Sequence, residues 1–370
     1  MSEKLKAEYL GCVNTPIYQA STVTFDSLAE LNKAKEVYAR AGTETNFALA
    51  EQVAKLENAA KCIITPSGVA SISASLLTLL QHGDHLLVCD SAYGPTKILC
   101  DGVLKKNGIQ TNYYPSDIGK EIATHLKDNT KVIYLESPAS LTYQIQELNE
   151  IIKIAKERNI ITVIDNTWSA GTLLKPLDLG IDVSLQSGSK YLAGHADIII
   201  GTLCFKDAEL YEKIYPEYYQ LGYHVSPQDC YLAARGLRTL PLRLKQQAEA
   251  ALHIAKYLEK HSKIAQVIYP GLSSFKQHKR FKKYFSGANG MLSFICKDNL
   301  RKSQIKKFVD ALQYFKIGYS WGGFENLIMY YEQPGKETKQ LYGAPLLRLH
   351  VGLEDVKILE NDLAQALKIL

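Results

Sequence analysis

Short runs of apolar and β-branched residues alternate with segments of helical period, and this alternation limits the possible fold more than any other feature. The clearest run is Ile160–Asp165, in which nearly every residue is apolar or β-branched. Similar runs occur at Cys62–Thr65, His85–Cys89 and Lys131–Leu135. Such runs suit the centre of a parallel sheet that is covered on both faces. The sequence therefore predicts an α/β fold with a doubly wound, mostly parallel sheet.

The pattern predicts three parts of the chain. Residues 1–45 show little helical period and are expected to form an extended arm that contacts a neighbouring subunit. Residues 46–240 are expected to form the large α/β domain, and residues 241–370 a smaller α+β domain. The 370 residues, 46% of them hydrophobic, are enough for two such cores. In the smaller domain we expect a long helix to about Lys260, strands near Ala265–Tyr269, Met291–Cys296 and Leu346–Val351, and a final helix over Asp355–Leu370.

Composition and charge exclude several classes of protein. The net charge of +5 is dispersed apart from the cluster Lys276–Lys283, which is typical of a solvated face, so no nucleic-acid partner is expected. Seven widely spaced cysteines without a CxxC argue against a disulfide framework or zinc site and favour the cytoplasm. No apolar segment approaches the ~20 residues of a membrane-spanning helix, so no membrane partner is expected. No histidine pair has metal-ligand spacing, so no metal is predicted.

Lys190 is the strongest candidate for a catalytic residue. It follows Ser187, Gly188 and Ser189 at the end of the strand-like run Val183–Gln186. A lysine amine becomes a nucleophile when burial or a nearby cation lowers its pKa. The hydroxyls and small residues around it could bind an anion, as a Schiff base with pyridoxal 5′-phosphate (PLP) requires. A surface lysine on a strand-to-helix loop is the alternative interpretation.

Two further positions suit a flat, phosphorylated cofactor. Asp165 ends the most apolar strand, where a carboxylate needs a cationic partner such as a protonated pyridine nitrogen; it could instead cap the next turn. Ser67, Gly68 and Val69 open a helix of small residues, and the N–H groups and dipole of a helix start bind phosphate. An ordinary N-cap serine is the alternative for Ser67.

Residues at three other places extend this pattern. Tyr93 stands at a strand exit, where its ring could stack on a cofactor. Tyr38 and Arg40 lie near the end of the arm, and both can bind phosphate, although Arg40 could also be solvated. Arg348 lies inside an apolar strand and needs an anion, either a substrate carboxylate or an internal salt-bridge partner.

Together these pieces resemble the PLP-dependent enzymes of cysteine and methionine metabolism. They run in family order over essentially the whole chain. The matching segments are Tyr38-Ala39-Arg40, Ser67-Gly68, Tyr93-Gly94, Glu136-Ser137-Pro138, Asp165-Asn166-Thr167, Ser189-Lys190-Tyr191 through Gly194-His195, Gly236–Leu240 and Arg348. The resemblance implies an aspartate-aminotransferase-like fold (fold type I) with PLP as the cofactor.

The resemblance also implies a role for each candidate residue. Lys190 and Tyr93 are the implied catalytic residues: Lys190 binds PLP and removes the Cα proton, and Tyr93 stacks on the ring. Asp165 keeps the pyridine nitrogen protonated. The implied phosphate ligands are Ser67, Gly68, Val69, Ser187 and Ser189, with Tyr38 and Arg40 from a neighbouring subunit. The implied substrate-binding residues are Arg348, Ser320 and Trp321 for the α-carboxylate and Tyr319 for the distal end.

Within the family, the segment Tyr319–Glu325 resembles the members that cleave L-cystathionine by β-elimination. The γ-acting members usually carry Glu where Tyr319 stands, often Leu where Trp321 stands, and Asn in place of Ser140. We therefore expect release of homocysteine, pyruvate and ammonia, a step of methionine biosynthesis. The alternatives are a γ-synthase or γ-lyase reaction and a broader β-lyase activity on cysteine conjugates. The resemblance further implies a homotetramer, a dimer of dimers with shared active sites.

Overall fold

The computed structural model describes residues 12–34, 36–297, 300–343 and 345–370. Its strands form two sheets, and helices pack against both. The strands are β1 Lys61–Thr65, β2 His85–Cys89, β3 Gln110–Tyr114, β4 Thr130–Glu136, β5 Ile161–Asp165, β6 Val183–Gln186, β7 Gly201–Phe205, β8 Ile264–Ile268, β9 Met291–Cys296, β10 Lys316–Ile317, β11 Leu327–Tyr331 and β12 Leu346–His350. The α-helices are α1 Leu28–Lys33, α2 Glu44–Glu57, α3 Gly68–Leu79, α4 Gly94–Leu99, α5 Leu148–Glu157, α6 Pro176–Leu179, α7 Ala208–Gln220, α8 Pro227–Leu237, α9 Leu240–Glu259, α10 His278–Tyr284, α11 Lys302–Asp310, α12 Lys336–Tyr342 and α13 Val356–Leu367.

The larger sheet has seven strands in the order β1-β7-β6-β5-β4-β2-β3. All neighbours from β6 to β3 are parallel, whereas β7 runs antiparallel to both β6 and β1. The expected α/β fold with a mostly parallel central sheet is therefore confirmed. Because the parallel strands point the same way, the carboxyl ends of β2, β4, β5 and β6 lie along one edge, where open sheets of this kind bind ligands.

Helices cover the centre of this sheet, and its strands are buried there. Strands β2 and β7 are buried at every position. Helix α3 packs against β6 and β7, while α5 packs against β5. The apolar runs that predict these strands become the core, since Val163, Ile164 and Leu185 have no accessible surface.

The smaller sheet has five strands in the order β10-β11-β12-β9-β8. Only β10 and β11 are parallel, and the remaining neighbours are antiparallel. Helix α9 packs on β8 and β9, and α13 packs on α9, so a second core forms there. The predicted strand Met291–Cys296 has the expected bounds. The division of the chain near residue 240 stays a prediction.

The described part of the arm is not extended throughout. Helix α1 occupies Leu28–Lys33, because Ser27 caps it by accepting a hydrogen bond from the Glu30 N–H at 3.2 Å. The expectation of an extended segment is wrong for these residues. The part of the arm before residue 12 lies outside the described residues, and the expected contact with a neighbouring subunit stays a prediction.

No helix in ranges 12–34, 36–297, 300–343 and 345–370 combines the length and the apolar character that a bilayer crossing requires. The same part of the chain contains no group of three or more His, Cys, Asp or Glu side chains placed to hold a metal ion.

Candidate active site

Two buried carboxyl groups lie side by side at the carboxyl edge of the larger sheet. Glu136 ends β4 and Asp165 ends β5, and the two residues are register partners. Burial raises the pKa of Glu136 well above its ordinary value, and the charge of Asp165 raises it further. Burial also raises the pKa of Asp165, although hydrogen bonds from Thr167 and the charge of Lys190 oppose this shift. The pair suits a cation, which would stabilise both carboxylates.

Thr167 joins the ends of two adjacent strands. Its backbone N–H and its hydroxyl both donate to Oδ1 of Asp165, the former at 3.0 Å. The same hydroxyl oxygen accepts the backbone N–H of Ser187 at 2.8 Å. The hydroxyl therefore fixes Asp165 relative to the turn that leads from β6 to Lys190.

The start of α3 lies directly against that turn. A Cβ added at Gly68 would lie 2.6 Å from Cβ of Ser187, so only glycine allows this approach. Since α3 begins at Gly68, the N–H groups of Gly68 and Val69 have no acceptor within the helix and are available to an anion. The Ser67 hydroxyl accepts the Ala70 N–H at 3.0 Å and is an N-cap, the alternative weighed from the sequence.

The two serines before Lys190 have different surroundings. The Ser189 hydroxyl donates to the Ile200 carbonyl at 3.1 Å and accepts the Ile200 N–H at 2.9 Å, so its proton is already committed to the protein. Ser187 uses its backbone N–H for Thr167 and contacts Gly68 through its side chain. Ser187 is therefore the better placed of the two hydroxyls for a phosphate.

The Lys190 amine has the electrostatic character of a nucleophile. Burial lowers the pKa of Lys190, the positive charge of Arg348 lowers it further, and Asp165 opposes both. The amine nitrogen lies 5.9 Å from the centre of the Trp321 ring. A lowered pKa leaves more of the amine unprotonated at neutral pH, as nucleophilic attack and proton removal both require.

Tyr93 lies on the rim of the same cleft and is held by a carboxyl group. Its backbone N–H donates to Oε2 of Glu136 at 2.7 Å. Burial, Asp165 and Glu136 raise the pKa of the Tyr93 hydroxyl, and Arg348 lowers it. The ring is nearly half exposed, so one face is open to a ligand.

The substrate-binding candidates come from the smaller sheet and one loop. Nη2 of Arg348 on β12 donates to the backbone oxygen of Ser320 at 3.1 Å. Ser320 has a φ of +79°, a conformation that L-residues rarely adopt. The Trp321 ring packs against Tyr191 at a centroid distance of 5.4 Å, while Tyr319 is 79% exposed. Arg348 and Ser320 thus lie together, with Tyr319 open to solvent.

Tyr38 and Arg40 are not brought into this cleft within one protomer. The Arg40 guanidinium lies 4.4 Å from the ring centre of Tyr219 on α7. Tyr38 forms an isolated antiparallel bridge with Thr22 and is exposed. The proposed action of both residues on a neighbouring subunit's cofactor stays a prediction.

Several polar residues around the cleft were not among the candidates from the sequence. Glu57 and His350 are almost fully buried and hydrogen-bonded to residues or segments of the cleft. His350 had a detectable signal, because it stands two residues after Arg348 in the same strand and so shares its face. Glu57 had no such signal, because its partners lie more than 100 residues away in the chain. Thr167 is indicated only as part of the family-matching segment Asp165-Asn166-Thr167.

PLP fits what the described cleft offers. An amine of lowered pKa stands beside a buried carboxyl pair that suits a protonated pyridine nitrogen. The open start of α3, pressed against Ser187, suits a phosphate. This combination at the carboxyl ends of parallel strands defines the class of α/β enzymes that carry PLP on a lysine.

Comparison with known proteins narrows this class. Residues 2–368 match the family model described as Cys/Met metabolism PLP-dependent enzyme, and the chain belongs to that family. It is 38% identical to the cystathionine beta-lyase of Escherichia coli (strain K12), with 96% of this chain and 93% of that protein covered. It is 35% identical to the L-alanine/L-glutamate racemase of Wolbachia pipientis wMel, with 97% and 93% covered.

A solved structure agrees with this assignment. The cystathionine gamma synthase from Xanthomonas oryzae pv. oryzae, in complex with aminoacrylate and cysteine, superposes with a TM-score of 0.91 at 34% identity. The alignment covers 97% of this chain and 94% of that one. The expected family, the PLP-dependent fold and PLP as the cofactor are confirmed, and the protein is a PLP-dependent enzyme.

Proposed function

We propose that the protein cleaves L-cystathionine by α,β-elimination, consuming one water and releasing homocysteine, pyruvate and ammonia. The observation that carries this proposal is the convergence of Lys190, Asp165 and Arg348 on one cleft, where the latter two charges act on the Lys190 amine. The Escherichia coli relative, named a cystathionine beta-lyase, supports the choice of substrate.

Each group of the cleft has a defined task in this reaction. PLP, when bound, withdraws electrons from the substrate Cα and makes its proton removable. Arg348 binds the α-carboxylate through its charged fork of donors, with Ser320 beside it. The Lys190 amine accepts the Cα proton, after which the Cβ–S bond breaks and sulfur leaves with the electron pair.

The loop next to Lys190 favours β- over γ-elimination. A γ-elimination also needs a proton removed from Cβ, for which a carboxylate at position 319 would be suited. Tyr319 stands there instead and is exposed. The nearby acid, Glu325, has its Oε2 buried and packed toward Gly323, away from solvent. The Xanthomonas oryzae structure, titled a cystathionine gamma synthase, keeps the γ-reaction as the second candidate.

The assembly and the compartment are part of the same proposal. Tyr38 and Arg40 make no described contact with the Lys190 cleft of their own chain, which supports their action on a neighbouring subunit. We infer a homotetramer of two such dimers, in keeping with the preference for closed symmetric assemblies. A fully active monomer in sedimentation would overturn this. The odd number of dispersed cysteines supports the cytoplasm as the compartment.

The deciding experiment measures the visible spectrum of the purified holoenzyme before and after L-cystathionine is added, with both possible oxo-acid products assayed. A yellow protein whose spectrum shifts and that releases pyruvate is the expected result. Release of 2-oxobutyrate would establish the γ-reaction instead. Djenkolate and L-cystine, tested in parallel, separate a cystathionine enzyme from a broader β-lyase acting on cysteine conjugates.

A further inference from the structure

His350 lies on the strand that carries Arg348 and faces the same way. The two residues are two positions apart on β12, so their side chains point to the same side of the sheet. Only 1% of the His350 surface is accessible. A histidine buried this deeply needs partners for both ring nitrogens, since each lost hydrogen bond would cost stability.

Both partners of His350 lie in the segment Tyr319–Asn326, here called the substrate loop. The Gly322 N–H donates to Nε2 of His350 at 2.9 Å. An N–H can only donate, so Nε2 carries no proton and Nδ1 carries it. Nδ1 therefore donates to the Glu325 carbonyl, 3.0 Å away. Burial lowers the pKa of His350 to about 3, which keeps this neutral form at physiological pH.

Gly322 is pressed against the catalytic lysine on its other side. A Cβ at this position would lie 2.7 Å from the backbone nitrogen of Tyr191 and 2.8 Å from the carbonyl carbon of Lys190. Its φ of +89° also requires glycine. The loop backbone is therefore held between His350 and the main chain at Lys190.

The same face of β12 thus holds the loop at two points. Arg348 binds the Ser320 carbonyl, and two residues further on His350 binds Gly322 and Glu325. The position of Ser320 relative to Arg348 depends on this second attachment, because Ser320 keeps an unfavourable φ that the surrounding bonds must maintain.

We propose that His350 is a positioning residue that fixes the substrate loop and thereby sets the affinity of the Arg348–Ser320 site for the substrate α-carboxylate. This proposal rests on the proposed function, because it assumes that the site binds an amino acid. His350 itself touches no substrate. It acts through the loop backbone at Gly322 and Glu325.

The test uses a matched set of substitutions. His350→Leu removes both hydrogen bonds. His350→Asn places an amide near the Nδ1 position and loses the acceptor for Gly322, whereas His350→Gln can extend its amide oxygen to that N–H. His85→Leu is the control, since His85 is fully buried with two side-chain partners, Thr130 at 2.8 Å and Asn112 at 3.0 Å. It begins β2 of the larger sheet, at the edge opposite the carboxyl ends where the cleft lies.

Steady-state kinetics with L-cystathionine give the first readout. We expect His350→Leu and His350→Asn to raise KM on the order of tenfold, with kcat changed much less and the visible absorbance of the holoenzyme retained. His350→Gln is expected to keep KM within about threefold of the parent value. His85→Leu should lower thermal stability and leave KM unchanged, which separates positioning from a general loss of stability.

Trp321 gives a second readout that needs no turnover. The chain has two tryptophans, so Trp168→Phe leaves Trp321 as the sole indole emitter beside Tyr191. In this background, acrylamide quenching of the apoprotein should increase with His350→Asn and stay unchanged with His350→Gln and His85→Leu. If no oxo acid forms from L-cystathionine, the proposed function fails while quenching still tests the loop.

The outcomes are distinct for each variant. Equal KM values and equal quenching for the Asn and Gln variants and the parent protein overturn the proposal. A KM increase of the same size in His85→Leu also overturns it, because the effect would then be general. If His350→Leu does not fold, the Asn and Gln pair decides, since both retain polar atoms for at least one partner.

Discussion

The two halves of the cleft are built in different ways. The cofactor half consists of the ends of regular elements: the register of β4 and β5 brings Glu136 and Asp165 together, and the start of α3 meets the turn after β6. The substrate half is an irregular loop that side chains of β12 hold in place. The geometry of the cofactor half follows from the pairing of whole strands, which many core residues support. The geometry of the substrate half depends on a few side-chain hydrogen bonds, and a single substitution can remove one of them.

The cofactor half has its own side-chain support behind the sheet. Glu57, at the end of α2, accepts hydrogen bonds from Asn166 at 3.1 and 3.3 Å, from Ser184 at 3.2 Å and from Gln186. Asn166 follows Asp165 directly, and Gln186 precedes Ser187. This buried carboxyl group therefore connects the two turns that carry the predicted ligands of the pyridine nitrogen and the phosphate.

The largest effect on turnover is expected at Lys190, where the cofactor half and the substrate half meet. Lys190→Ala removes the amine that binds the cofactor and accepts the proton, so turnover should fall by at least about 10⁴-fold. The visible absorbance of the Lys190–cofactor linkage should disappear with it. Lys61→Ala, which alters an exposed lysine of β1, is the control and should retain both. Retained turnover in Lys190→Ala would refute the catalytic assignment.

A large effect confined to the substrate half is expected from Arg348→Lys. Lysine keeps the charge and loses the planar fork, so KM should rise about 100-fold while the cofactor absorbance remains. Arg280→Lys, at a partly exposed arginine 2.8 Å from Glu147, should leave KM unchanged. If Arg348→Lys also released the cofactor, the two halves would not be separable as described.

The pH dependence of stability tests the support behind the cofactor half. Burial, partly offset by its hydrogen bonds and by Lys175, raises the pKa of Glu57 from 4.5 to about 7. Between these values the unfolded chain releases the proton and the folded protein keeps it, so the free energy of unfolding falls as pH rises through this window. The loss is on the order of 3 kcal/mol.

The measurement compares Glu57→Gln with the parent protein. The Gln variant lacks this titration, so its stability relative to the parent should rise between pH 5 and pH 8 in urea unfolding followed at both pH values. An identical pH dependence in the two proteins would show that Glu57 does not titrate in this window.

The smallest effect is expected on cofactor affinity. Glu57→Leu leaves the amides of Asn166 and Gln186 without their acceptor, so the dissociation constant of PLP from the apoprotein should rise on the order of tenfold. At saturating PLP, KM should stay unchanged, the opposite of the Arg348→Lys result. Equilibrium dialysis measures the affinity, and His85→Leu serves as the stability control. An increase in KM at saturating PLP would contradict the separation of the halves.

The sequence predicts five of the seven strands of the larger sheet, because these strands have apolar or β-branched residues at their centres, and it misses β3, which is mostly polar. It does not predict β7, Gly201–Phe205, as an antiparallel member, since a short buried run carries no information about its partners. Arg348 is detectable as a charge inside an apolar strand. The hydrogen bonds of His350 and Glu57 are not detectable from the sequence. Their partners lie 25 to 28 residues away for His350 and more than 100 residues away for Glu57.

The tightly packed backbone at Gly322 limits which positions of the substrate loop can vary. Because neither its φ nor its distance from the Lys190 main chain tolerates a side chain, we expect Gly322 to be retained and the backbone at this one position to keep its path. Variation is then directed to the flanking aromatic side chains Tyr319 and Phe324, which are 79% and 54% exposed in this protomer. Substitutions at these two positions are therefore expected to change the surface offered to the substrate while leaving the backbone contact between Gly322 and Lys190 in place.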